Sequence, residues 1–71
     1  MLLINMDAKK IFENGEISIW IFDGGVALTT GDKVLYFDTS NMDDIFHFII
    51  LMKKNNIEER ERFNILKEIL K

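Results

Sequence analysis

Residues 16–22 read EISIWIF, and the alternation in this stretch decides the class of fold. Successive side chains of an extended chain point to opposite faces, so Ile17, Ile19 and Ile21 fall on one side and Glu16, Ser18, Trp20 and Phe22 on the other. β-branched and aromatic residues suit a pleated surface better than a helix, and the stretch is read as a strand. Immediately before it, KKIFENGE sets Asn14-Gly15 between Ile11-Phe12 and Ile17. Both residues tolerate positive φ, which is what a two-residue type I′ hairpin demands. After it, Asp23-Gly24-Gly25 and Thr30-Gly31-Asp32-Lys33 separate two further runs, VALT and VLYFDT. The expectation is an antiparallel meander of three or four short strands, with the strand over Lys9 to Glu13 the optional one.

The period changes after Ser40. Ser40 or Asn41 can accept orphan amide hydrogens at a helix start, and Asp43 and Asp44 follow where the positive end of the helix dipole favours carboxylates. Residues 42 to 54 continue the helix and close it with Lys53-Lys54 at the favoured cationic end. The segment beyond Lys54 admits two readings. Asn56 with Glu59 resembles a fresh cap, giving a second helix from Ile57 to about Leu70. Ile45, Ile49, Met52, Phe63, Leu66 and Leu70 instead share one heptad register, with Asn56 and Glu59 as its polar members, and this favours one continuous helix. The fold class is therefore α+β: a short antiparallel three- to four-stranded meander followed by a long C-terminal helix, with any break falling at Asn55-Asn56. Residues 1–71 form one domain.

A chain of 71 residues has a thin stability margin, and one without cysteine has no disulfide to widen it. With 48% hydrophobic and 30% charged residues the composition is that of a folded protein. Net charge is −3, divided unevenly: residues 1–52 carry three bases against eight acids, and residues 53–71 carry six bases against four acids. This balance disfavours general nucleic-acid binding through the phosphate backbone. MLLINM has neither a basic flank nor a small-residue cleavage site, and the longest apolar run, Phe48 to Met52, is far short of a membrane span. A cytoplasmic protein without membrane contact is expected.

Alternation can place Val26, Leu28, Leu35 and Phe37 beside Ile17, Ile19 and Ile21, a surface for the helix to cover. The opposite face still holds Trp20, Phe22, Val34 and Tyr36, where a sheet facing water would carry polar residues. On the helix, Phe46, Phe48 and Ile50 point away from the Ile45-Ile49-Met52 stripe. Burying each large apolar side chain is worth about 1.5–3 kcal/mol, so leaving this surplus wet would forgo much of a small domain's stability. A homodimer is the expected remedy, with Trp20, Phe22, Tyr36, Phe46, Phe48 and Ile50 at its interface, against the alternative that the helix folds back and covers both surplus areas within one chain.

A chain of this length, with a β-meander ending in VLYFDT and a C-terminal helix from NMDDIFHF, resembles the Yopt family of small bacterial and prophage proteins. That family is unrelated to the similarly named cysteine protease of pathogens. The resemblance spans essentially the whole chain in size and order of elements. It implies three strands, one helix and a homodimer, with no established activity and no functional residues to transfer.

No motif demands catalysis. Gly24-Gly25 to Gly31-Asp32-Lys33 imitates a phosphate-binding loop, but the spacing is one residue too long, Asp32 intrudes before Lys33, and a strand rather than a helix follows. Asp43 and His47 stand four apart and could share a helix face, where they could bind a metal or act as an acid-base pair; a zinc site wants three or four protein ligands, and only Asp44 is an obvious third. The simpler reading is a helix-start acid near a packed histidine, with titration near neutral pH the role left for His47. Ser18 and Ser40 have no evident base, and G-x-S-x-G is missing. Trp20 and Tyr36 could stack on bases, but their surroundings are acidic. Arg60, Arg62, Lys67 and Lys71 alternate with Glu58, Glu59, Glu61 and Glu68 as on a solvated helix flank, and Glu58 to Arg62 has the favourable i,i+4 order.

Neither catalytic, cofactor-binding nor metal residues are assigned. The expectation is a small phage- or prophage-type homodimer that is not an enzyme and engages another protein, with an acidic surface near Asp23, Asp32, Asp38, Asp43 and Asp44. The alternative is an acidic nucleic-acid-mimicking inhibitor of a host or phage enzyme, whose capture of its partner would be steeply salt-sensitive.

Overall fold

The computed structural model describes residues 8–71, and the MLLINM stretch lies outside them. The optional first strand is formed. β1 (Lys9–Asn14), β2 (Ile17–Phe22), β3 (Gly25–Thr30) and β4 (Lys33–Asp38) pair antiparallel in sequence order. Ile19 lies opposite Leu28, Ile21 opposite Val26, and these in turn oppose Leu35 and Phe37. The inner face is thus the one that alternation indicates. A bulge between Lys10 and Phe12 shifts the edge strand so that Phe12 stands opposite Ile19.

The three hairpins close over two residues each, but the first is not the Asn-Gly type I′ turn. Asn14 pairs with Ile17, so the loop is Gly15-Glu16, and of these only Gly15 has positive φ, at 63°. Glycine leading with the single positive φ is the type II′ pattern. Gly31-Asp32 repeats it at 57°, whereas Asp23-Gly24 puts glycine second, at 80°, as type II turns do.

α1 (Met42–Lys54) starts where expected: the Asn41 side chain accepts the Asp44 N–H at 3.1 Å. The continuous heptad helix does not form. α1 stops at Lys54, Asn56 takes a left-handed φ of 64°, and α2 (Glu59–Ile69) begins anew. The Asn56 N–H donates to the Lys53 carbonyl at 3.0 Å and the Ile57 N–H to the Met52 carbonyl at 3.1 Å. These are the two bonds of a Schellman motif, which absorbs the helix's last carbonyls and reverses the chain. Ile57 and Met52, its hydrophobic pair, are both buried. Asn56 therefore ends the first helix rather than capping the second, whose N-cap is Glu58 without a side-chain cap bond.

The helices cover the inner sheet face, α1 along β4 and α2 along β1. Ile19, Val26, Leu28 and Phe37 from the sheet meet Phe48, Met52, Ile57 and Ile65. The inward stripe of α1 is Ile45, Phe48 and Met52, not Ile45, Ile49 and Met52. Phe48 wins the central place because its ring meets Phe37 at 5.3 Å between centroids, and Ile49 stays at the margin. Among the described residues, four strands and two helices stand where the family resemblance implies three and one.

Candidate interaction surface on the outer sheet face

The outer face follows from register. Trp20, Ala27 and Tyr36 form one cross-strand row; Ser18, Thr29 and Val34 form the next on one side, and Phe22, Gly25 and Asp38 on the other. β3 thus supplies only Gly25, Ala27 and Thr29 between Trp20 and Phe22 on β2 and Val34 and Tyr36 on β4, and a groove of about 500 Å³ lies over it. Ala27 is 5% exposed although it sits on the outer face, because the aromatic walls overhang it.

Contacts fix those walls. A Cβ added at Gly25 would stand 2.7 Å and 2.9 Å from two Phe22 ring carbons, so the ring lies on the glycine backbone. From there Phe22 meets Tyr36 edge to face, 6.2 Å between centroids at 75°. Across the sheet, the Lys10 ammonium sits 5.5 Å from the Trp20 ring centroid and 2.8 Å from Glu13 Oε1. The Lys10 charge at this rim is therefore already paired, and the groove itself is mainly apolar and aromatic, with the hydroxyls of Ser18 and Thr29 at one end.

The acids occupy two ends. Thr39 N–H donates to the Gly24 carbonyl at 3.2 Å, which brings the Asp23 turn to the end of the sheet where Asp38, Asp43 and Asp44 lie. Asp32 stands in the turn at the other end, so the five do not form one surface. Two of them are tied into the β4–α1 junction. Asp38 Oδ1 accepts from the Ser40 hydroxyl at 2.7 Å and the Ser40 N–H at 2.9 Å, and the Asp38 N–H donates to Asp44 Oδ2 at 2.8 Å. The Ser40 hydroxyl, then its amide, hold the Asp38 carboxyl below its ordinary value by favouring the ionised form.

The six residues expected at one interface separate into three places. Trp20, Phe22 and Tyr36 converge on the outer sheet face. Phe46 and Ile50, 56% and 52% exposed, project from the helix layer on the opposite side of the molecule. Phe48 is fully buried in the protomer core and is unavailable to a partner. Phe46 and Ile50 each stand about 200° around the helix from Phe48, which forces them outward once Phe48 turns in.

Elsewhere, the His47 ring lies edge to face with Phe37 at 6.0 Å, and among the described residues no hydrogen bond or ion pair joins it to Asp43. Among the same residues no three His, Asp or Glu side chains gather as a metal site would require. Gly24 and Gly31 serve hairpins at opposite ends of β3. Phe63 and Leu70, which the heptad register placed on the inward seam, are 62% and 61% exposed, and Ile65 is buried in their stead. The left-handed Asn56 resets the helical phase, and the position of Asn at a C-terminal reversal was the available signal.

Comparison of the chain with models of protein families, with curated proteins and with solved structures returned no match.

Proposed function

We propose that the protein is a homodimeric, non-enzymatic protein-interaction module of prophage type, working in the cytoplasm, whose two copies meet through their outer sheet faces. The observation that carries this reading is the Trp20-Ala27-Tyr36 row: large aromatics flank a small floor on a face that lies opposite the helices. Sheets that face water on one side carry polar residues there, and sheets that pack on another sheet carry this kind of relief. A two-fold axis across the groove sets each copy's aromatic walls against the other's floor of Ala27 and Thr29. Among the described residues no helix is long and apolar enough to cross a membrane.

The contact is small. Four strands of six residues span roughly 19 by 20 Å, on the order of 400 Å² in plan. Stable interfaces bury about 800 Å² per partner, so a dimer through this face belongs to the weak, transient class. Sedimentation equilibrium over a concentration series tests this directly. The weight-average mass should climb from 8.4 kDa towards twice that value. A mass fixed at the protomer value through the high micromolar range overturns the proposal.

A further inference from the structure

A second apolar surface lies on the opposite layer and does not belong to the sheet contact. Phe63 and Leu70 project outward from α2 with half-buried Leu66 between them. With Lys67 they line a shallow depression of about 430 Å³. The Lys67 ammonium lies 5.4 Å from the Phe63 ring centroid, so its charge stands over the apolar stripe rather than away from it. Arg60, seven residues earlier, falls on the same line of the helix to within about 20°. On the other flank Arg62 donates to the Ile57 carbonyl at 2.6 Å and is fixed there. Glu61 and Glu68 lie on the adjoining face, where they line a second depression with Ile11, Ile65 and Lys67 itself, and Glu59 is the acid at the head of the stripe. The stripe is therefore apolar with Arg60 and Lys67 along one border, on a helix whose three bases and three acids balance.

We infer that α2 is a docking site for an amphipathic helix of another protein that presents a hydrophobic stripe bordered by Glu or Asp. Helix-in-groove recognition takes its affinity from apolar anchors at i, i+3, i+4 and i+7 spacing, which Phe63, Leu66 and Leu70 match. The charged border then sets partner and orientation, because like charges across an interface are costly. A second copy is a poor occupant, since antiparallel pairing of α2 with itself brings Arg60 and Lys67 against their own counterparts. An anionic membrane is a poor one too, because the remaining surface is strongly acidic and is repelled by anionic headgroups.

The test uses two labelled synthetic helical peptides with the same leucine stripe, one bordered by Glu and one by Lys, titrated with the full chain and followed by fluorescence anisotropy. The Glu-bordered peptide should bind at least about tenfold more tightly, with the ratio shrinking at high salt. R60E/K67E should invert the preference, and F63S should weaken both peptides while leaving the circular dichroism spectrum unchanged. Equal binding of the two peptides, or binding of neither, overturns the inference. So does capture by phosphatidylglycerol vesicles without peptide discrimination, or a fall in the mass of the protein alone on F63S, which would assign the stripe to a second copy.

Discussion

Asn56 shows how much of this fold turns on one residue. Its φ of 64° costs most L-residues about 1–2 kcal/mol, a penalty that Asn reduces and Gly avoids. Asn56→Ala should therefore lower stability by about 1 kcal/mol, and Asn56→Gly should hold or raise it, read as urea midpoints. The sign is informative: in an unbroken helix Ala would be the stabilising choice and Gly the costly one. Asp38 supports a second prediction at this scale. Its carboxyl is held low by Ser40 in the folded state. A depressed acid contributes stability above its unfolded value, near 3.8, and that contribution disappears as pH falls through the folded value. Ser40→Ala should return the Asp38 carbon chemical-shift titration towards the ordinary value and flatten the acid limb of stability below about pH 4. An unmoved titration would mean that the Ser40 hydroxyl does not set it.

Among the elements, the strands were legible because Ile17, Ile19 and Ile21 keep strict alternation and each hairpin contains a glycine. The start of α1 was legible for a similar reason, since Asn41, Asp43 and Asp44 act through local bonds and the helix dipole. What local pattern could not convey was phase. Nearly every residue of IFHFIILM is apolar, so the choice of Phe48 over Ile49 for the core was made by Phe37 across the sheet. A heptad can likewise be traced through Asn56 on paper, while the Schellman bonds break it in space. The outer groove was half legible: Trp20, Phe22 and Tyr36 stand out in alternation, but the glycine contact under Phe22 depends on register. That contact gives a prediction for β3. Gly25→Ala must push the Phe22 ring off the sheet, since the new methyl would meet ring carbons at 2.7 Å and 2.9 Å, and it would also crowd the Phe37 carbonyl oxygen at 3.2 Å. Because Gly25 is not at positive φ and the ring can swing outward, the fold should survive while the Phe22–Tyr36 contact is lost. Dimerisation should weaken several-fold with near-unchanged secondary structure, measured by sedimentation and circular dichroism; unaltered dimerisation would remove Phe22 from the interface.

At the scale of the whole molecule, two apolar surfaces face in opposite directions across a two-layer body, and this constrains any assembly. A symmetric contact uses one patch on both copies, so it can bury the sheet groove or the helix stripes but not both. The two surfaces also differ in charge. Lys10, the cation beside the groove, is already paired with Glu13 at 2.8 Å, whereas the stripe on α2 is bordered by Arg60 and Lys67. Pairing through the sheet should therefore hold or strengthen as salt rises, because apolar burial is not screened while the Asp38 carboxylate of the outer face is, whereas docking on α2 should weaken. Single substitutions on each layer separate the alternatives. Tyr36, 65% exposed, contributes little to the protomer's own core. Tyr36→Glu should leave the protomer folded but set two carboxylates against a desolvated aromatic patch, raising the dissociation constant at least about tenfold. Phe46→Glu, at a similarly exposed site on the other layer, should leave the dissociation constant within about a factor of two. If Phe46→Glu dissociates the dimer and Tyr36→Glu does not, the copies meet through their helices. The aromatic groove over Ala27 would then be the surface left free for a partner.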